Sequence, residues 1–547
     1  MTPYCKTKSG ATISASPGAG LKDLGSNDFR AARVGSKSKV TIAIGPRGRE
    51  ASATLLPLRL ALWLVAYAAA LAFYFQIVDG PGRIYFDMSE AYVWGREFAL
   101  GYHQHPPFWA WICGAWFFAF PREIGWFGLL SAINATLGLY GVWLAIGNFV
   151  KAETRIAAFA LAFITPCYSF MAFRYNANTI FISLWPFMAH FFMRSIDRGR
   201  VADAFGFGLF TGFALMSKYY AAVLIAACVL AWWTHPHRDR YWRSFSPYLS
   251  GAVALALFAP HLAWLVTHRA PPLQYLASMS NLDASAMASF LGRSALGALG
   301  MAAPAAVAVA VLARFSPLRV VSAWRERWSD PRFRTLAALA LAPTALTFLS
   351  AILLRTRLYT EMLVGVFALW PLLCVELAKP VDLRKFTHGA KLLALAALAG
   401  LVVLSVPVSY ITTHWSRRAR DVQPLRELSL AAEQEWRKTT GAPLVYVAGF
   451  DDLEKAAAFY SADRPHAFSN FDYDNSPWVE PAEVAKHGML SLCSTENMLC
   501  LQRAEQWSGP GARRIDLTLV HVAWGFAANP YSYRVTITPP SISLGRP

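Results

Sequence analysis

The sequence predicts a mainly α, polytopic membrane protein of about eleven spans, followed by a small C-terminal α/β domain. Three observations carry this expectation. Of 547 residues, 55% are hydrophobic and 15% charged, whereas soluble domains hold about 45–50% apolar and about 25% charged residues. The apolar residues fall in runs close to the roughly 20 residues that cross a bilayer. From about Thr412 onward the composition changes to that of a soluble chain.

Taken in order, the first 53 residues are rich in Ser, Gly, Lys and Arg, and no apolar run precedes Leu55. They read as a disordered cytoplasmic tail rather than a cleavable signal. Candidate spans follow at 54–78, 126–149, 155–172, 177–194, 203–216, 219–234, 246–267, 294–314, 335–353, 359–377 and 390–410. The run 107–120 is short for a crossing and reads as a re-entrant or interfacial piece of the first external loop, 79–125. The membrane domain is therefore expected over 54–410, and a soluble domain over 411–547. Within the latter, LVYVAGF (444–450) reads as a buried strand and DDLEKAAAFY (451–460) as an amphipathic helix. LTLVHVAW (517–524) and YRVTIT (533–538) read as further strands.

The net charge of +18 does not form a basic face interleaved with aromatics, so no nucleic-acid partner is expected. The basic residues collect instead in alternate short loops. Lys37, Lys39, Arg47 and Arg49 precede the first span, and Arg194, Arg198, Arg200, Arg238, Arg240 and Arg243 lie in later loops of the same side. The positive-inside rule then puts the N-terminus in the cytoplasm and the C-terminal domain on the opposite, external side; if that side is a periplasm, it is oxidising. In that oxidising compartment Cys493 and Cys500 are a disulfide candidate, the alternative being two reduced thiols.

The same assignment gathers the unusual polar residues at the external face. Asp87, Glu90, His103, His105, Arg174, Asn176, Lys218, Arg355 and Arg357 come from four separate loops. Asp87 and Glu90, three apart, share a helix face. Two close carboxylates raise one pKa and suit a general base; a helix N-cap with its N3 acid is the other reading. His103 and His105 point the same way in an extended segment and suit a metal or a phosphate, or are polar trim. Pro106 and Pro107 hold that backbone extended. Lys218 interrupts a long apolar stretch and suits a lipid-linked phosphate, as do the forked donors of Arg355 and Arg357.

The segment DMSEAYVWGREFALGYHQHPPFWAW, with FRYNANTIFISLWP (173–186) and GLFTGFALMSKYYA (208–221), resembles the polytopic GT-C glycosyltransferases. These include bacterial lipopolysaccharide galacturonosyltransferases, lipid A aminoarabinose transferases and, more distantly, protein O-mannosyltransferases. The resemblance covers roughly 55–410, with a fainter echo in AAAFYSADRPHAF (456–468). It implies an inverting transfer of a sugar from a polyprenyl-phosphate donor to an envelope lipid or glycan acceptor, within membrane lipids and at the periplasmic face. Asp87 and Glu90 would be catalytic, His105, Lys218 and Arg355 would bind the donor phosphate, and His103, Tyr102, Asn176 and Tyr219 would contact substrate. Met88 and Ser89 separate the two acids, which leaves open which one is the base. No nucleotide cofactor is implied; a divalent metal is left open, with Glu90 and His103 as its ligands. The alternatives are a transporter or flippase of polyprenyl-linked glycans, and a non-catalytic assembly protein. A transporter would carry polar groups at mid-membrane and internal repeats, and neither is visible here.

Overall fold

Among the described residues (58–80, 82–415, 422–509 and 511–540 of this computed structural model), six helices are long and apolar enough to cross a membrane. The expected N-terminal tail lies outside them. The first is α1 (Leu58–Val78). It ends at Asp79, whose carboxylate accepts both Nε and Nη2 of Arg174 at 2.8 and 3.0 Å. Arg174 also lies over the Tyr85 ring, 4.2 Å from its centroid, so this expected site residue is a clamp on the chain leaving the first span. Two short helices follow, α2 (Phe86–Glu97) and α3 (Phe108–Ala119). Each has 12 residues, a length of about 18 Å that falls short of a bilayer core. They cross in backbone contact at Gly95 and Gly114, where a Cβ on Gly114 would lie 2.1 Å from the Gly95 carbonyl oxygen. Gly114→Ala is expected to force the pair apart at a cost of about 1–3 kcal/mol. Thermal unfolding in detergent should show a lower midpoint, and an unchanged midpoint would mean that the crossing is dispensable.

The bundle continues through α4 (Ile124–Ile146), α5 (Ala152–Ala162), α6 (Phe181–Arg198), α7 (Val201–Leu215), α8 (Ala221–Thr234), α9 (Arg238–Trp242) and α10 (Ser246–Thr267). It closes with α11 (Pro271–Ser278), α12 (Ala284–Leu312), α13 (Val320–Arg327), α14 (Pro331–Leu353), α15 (Trp370–Ala378) and α16 (Leu383–Trp415). Two expected spans are not continuous helices. The run 155–172 stops at Ala162 and passes through a 3-10 turn at Pro166–Tyr168, because proline lacks the N–H that would extend the helix. The run 359–377 begins as two 3-10 turns and becomes helical only at Trp370, with Pro371 in its first turn. The helices α7 and α8, of 15 and 14 residues, are also short of a full crossing. The turn between them carries Lys218.

The C-terminal domain comprises α17 (Leu425–Thr440), β1 (Tyr446–Gly449), α18 (Leu453–Tyr460), β2 (His466–Ser469), α19 (Pro481–His487), β3 (Met489–Ser494), α20 (Met498–Gln506), β4 (Arg513–Ala523) and β5 (Phe526–Thr538). The sheet order is β2-β1-β3-β5-β4, with β1 parallel to β2 and β3, and β5 antiparallel to β3 and β4. Alternation along the strands separates two cores. Val447, Leu490, Leu492 and Val535 face α17 and α18 in a core continuous with the bundle, while Tyr446, Ala448 and Met489 join Val484 of α19 and Ala504 of α20. Cys493 on β3 and Cys500 on α20 are disulfide-bonded, with Cα atoms 5.6 Å apart.

The domain docks on α2 and α3. Phe459 of α18 meets Tyr92 and Phe117 edge-on, 5.2 and 5.5 Å between centroids. Arg122 donates to the carbonyls of Phe459 and Ser461 at 3.0 and 2.8 Å. Tyr460 donates to the Gly82 carbonyl at 2.9 Å, and His466 lies 2.7 Å from Glu97. These contacts hold α18 against the helix that carries Asp87 and Glu90.

Candidate active site

At the end of the bundle covered by the C-terminal domain, charged side chains from α2, the α7–α8 turn and α18 converge. No side chain caps α2 through Tyr85, its N-cap position, and Asp87 lies inside the first turn. The N-cap reading of Asp87 therefore falls, and the shared helix face remains. Asp87 has Glu90, Lys218, Asp452 and Lys455 as its charged neighbours. Burial first, and then Glu90, push its carboxyl up to about 7, with Lys218 pulling the other way. Among the described residues the Asp87 carboxylate makes no hydrogen bond.

Glu90 is placed differently. Its Oε1 accepts from Lys455 Nζ at 3.0 Å, and Lys455 also reaches Asp452 Oδ1 at 2.8 Å. Burial raises the Glu90 carboxyl and the Lys455 ammonium draws it back. Burial pulls the Lys455 ammonium down, but Asp452, Glu90 and Glu454 outweigh that and hold it well above its ordinary value. Of the two carboxylates, Glu90 is thus tied to a lysine of the other domain and Asp87 is available.

Lys218 sits in the turn where α7 ends, and its Nζ donates to Asn178 Oδ1 at 2.6 Å. Asn176 builds the turn that holds that partner. Its Oδ1 accepts the backbone N–H groups of Asn178 and Thr179 at 2.8 and 2.9 Å, an Asx turn that starts the approach to α6. Tyr102 is likewise structural: it is buried, stacks on Trp94 at 4.8 Å, and donates its hydroxyl to the Trp94 carbonyl. Tyr219 lies 2.7 Å from His261 Nε2, and His261 Nδ1 lies 2.8 Å from the Leu100 carbonyl. That relay ties the α7–α8 turn to the loop before His103.

The structure places the remaining expected site residues as follows: His105 and His103 beside the cluster, Arg355 and Arg357 on nearby turns. His105 is held well below the ordinary histidine value by burial and then by Lys218, so at neutral pH it offers an N–H donor and no charge. His103 is lowered by burial and lifted in part by Asp472 and Asp474 of the C-terminal domain. Arg355 turns its Nε and Nη2 onto the Leu282 carbonyl at 3.1 and 2.6 Å, where it closes the turn before α12. Arg357 instead packs on Met279, its backbone N–H donating to the Met279 carbonyl at 3.3 Å. Sequence reasoning missed Lys455, Asp452 and Asn178. Lys455 had a legible signal, since it shares a helix face with Phe459, four residues on, and a lysine on an apolar face seeks an acid.

No group of three ligands that includes Glu90 or His103 lies within reach of one ion among the described residues. Glu90 already has an ammonium at 3.0 Å, so these side chains as arranged do not fit a metal. At the other end of the bundle Asp197, His235 and His237 do cluster. There the His237 backbone N–H donates to His235 Nδ1 at 3.1 Å. His235 Nε2 and His237 Nδ1 lie 3.4 and 3.5 Å from Asp197 Oδ1, and all three atoms are buried without a hydrogen-bond partner among the described residues.

This bundle, with one end covered by an α/β domain, is a polytopic membrane protein of the GT-C fold. ArnT from Cupriavidus metallidurans in the apo state superposes with a TM-score of 0.57 at 14% identity, covering 87% of this chain and 98% of that one. Bound to undecaprenyl phosphate, the same protein gives 0.56 at 15% identity, covering 87% and 97%. A family model described as dolichyl-phosphate-mannose-protein mannosyltransferase matches residues 104–264. Two Rhizobium johnstonii proteins are similar in sequence. Lipopolysaccharide core galacturonosyltransferase RgtA is 31% identical over 196 residues, 34% of this chain and 38% of its own length. RgtB is 29% identical over 267 residues, 46% of this chain and 52% of its own. The chain thus matches about half or less of these relatives' length.

Proposed function

We propose that the protein is an inverting glycosyltransferase that moves a sugar from a polyprenyl-phosphate donor to a lipid or glycan acceptor of the bacterial envelope. The observation that carries this is the Asp87 carboxylate, unpaired among the described residues, raised to about 7 and facing Lys218. Asp87 takes the proton of an acceptor hydroxyl as its oxygen attacks the anomeric carbon. The bond from that carbon to the phosphate oxygen breaks, and its electron pair leaves with the lipid phosphate. One displacement of this kind inverts the anomeric centre. Lys218, oriented by Asn178, offsets the charge that develops on the phosphate, and His105 adds a neutral donor. Glu90 and Lys455 position the helix that carries the base. No step runs through a metal.

The relatives' names support undecaprenyl phosphate as the carrier and the lipopolysaccharide core as the acceptor. The charge bias of the loops supports an inner-membrane protein with a cytoplasmic N-terminus and a periplasmic C-terminal domain. The Cys493–Cys500 disulfide is in keeping with that compartment.

Mass spectrometry of intact envelope lipids with and without the gene tests the reading. One sugar mass should be missing from the deletion strain, and an unchanged profile would overturn it. The pH profile of purified protein gives a second check. A base works only when deprotonated, so kcat/KM should rise with pH through about 7, then fall as Lys218, pulled down to about 8 by burial, loses its charge. A rate that falls as pH rises through about 7 would make Asp87 an acid and contradict the mechanism.

A further inference from the structure

The face of α2 opposite the reacting carboxylates lines a second cavity. Tyr92 and Arg96 are two and six residues beyond Glu90, which places them about 160° and about 120° round the helix from it at 3.6 residues per turn. The cavity, about 380 Å³ in volume, lies between α2, α3 and the chain after α18, and Phe117 and Phe118 form part of its wall. Phe118 is 95% exposed, and α3 is a short apolar helix flanked by the stacked pair Phe120–Trp126, 4.7 Å between centroids. Aromatic rings of this kind gather at the level of lipid headgroups.

Three arginines line the same space: Arg96, Arg122 and Arg464. Tyr92 lines it with them and lies within the electrostatic reach of all three. None has a carboxylate within ion-pair distance among the described residues. Arg96 donates to the carbonyls of Arg464 and Pro465, and Arg122 to those of Phe459 and Ser461. Carbonyl acceptors satisfy N–H groups and leave the charge in place. The nearby acids are committed elsewhere or turned to solvent. Glu97 holds His466 at 2.7 Å, Asp463 holds Arg437 at 2.6 Å, and Glu123 is exposed. Guanidinium forks match phosphate oxygens geometrically, and basic pockets beside membrane helices take anionic headgroups.

We propose that this cavity binds an anionic phospholipid of the surrounding bilayer, with its phosphate among Arg96, Arg122 and Arg464 and its acyl chains along Phe117 and Phe118. The occupant is a bilayer lipid rather than a soluble anion, because the wall beside the arginines is aromatic and includes Phe118, which is 95% exposed. It is also distinct from a lipid-phosphate substrate, because Asp87 and Glu90 lie on the other side of α2. Such a lipid bridges α2, α3 and the C-terminal domain, whose carbonyls already hold two of the arginines.

The test uses the full-length protein in phosphatidylcholine nanodiscs doped with phosphatidylglycerol. Native mass spectrometry then counts the phosphatidylglycerol retained on release. Arg464 is exposed and its side chain makes no hydrogen bond among the described residues, so Arg464→Glu should fold as the wild type does. Wild-type protein should retain phosphatidylglycerol, Arg464→Glu should bind it roughly tenfold more weakly, and Arg269→Glu in the exposed loop after α10 should behave as wild type. Equal retention by wild type and Arg464→Glu, or none by wild type, would overturn the proposal. So would an equal thermal shift from inorganic phosphate with no lipid retained.

Discussion

Asp87→Asn is expected to lower kcat by roughly 10²–10⁴-fold, the usual contribution of a general base, while the protein folds and inserts normally. Asparagine keeps the shape of the side chain and removes the lone pair that takes the acceptor's proton. It also removes a charge that the site holds at a cost, since burial is the first reason the Asp87 carboxyl is raised. The thermal midpoint should therefore stay level or rise, in line with the trade between activity and stability at strained sites. The limb of the pH profile near 7 should vanish with the carboxylate. Transfer assays on purified variants, with a melting curve for each, separate this outcome from misfolding. Full activity in Asp87→Asn would remove the base assigned here and leave Glu90 as the remaining carboxylate of α2.

Lys455→Met should destabilise the docked C-terminal domain by about 3–5 kcal/mol, the range for removing one partner of a buried ion pair. The Lys455 and Glu90 side chains are 13% and 11% exposed, so water does little to screen the 3.0 Å contact. Without the ammonium, Glu90 and Asp452 face each other uncompensated. Adding Glu90→Gln removes one of those charges, and the double variant should recover part of the loss. A coupling of about 0.5–3 kcal/mol would mark a direct pair, and additive losses would mean that the contact does not matter. Chemical unfolding in detergent reads the stability, and the transfer assay reads whether undocking α18 also displaces Asp87. A Lys455→Met protein as stable as wild type would contradict the reading of this pair as the link between the domains.

Much of the architecture was legible because apolar composition and loop charge act locally. The spans at 246–267, 335–353 and 390–410 appear as α10, α14 and α16 within a few residues. Those at 155–172 and 359–377 fail where Pro166 and Pro371 interrupt an apolar run, since hydropathy does not register a missing N–H. The site was half legible. Asp87, Glu90 and Lys218 stood out because charge is costly beside a bilayer, and the chain would not carry it there without a partner. Asn176 and Tyr102 stood out for the same polarity, yet both spend it on the backbone, one in an Asx turn and one on the Trp94 carbonyl. Composition cannot tell a polar group turned outward from one satisfied within a turn.

The amino-acid order by itself determined a helical membrane chain with an acidic helix after its first span and a lysine at a helix break. Those features follow from residues close together in sequence, where propensity and transfer free energy decide. Only the tertiary structure decided that Lys455, 365 residues from Glu90, neutralises it and leaves Asp87 available. Side-chain charge is read from the sequence, but its pairing depends on which distant backbones pack together, and that choice is made by the buried core as a whole.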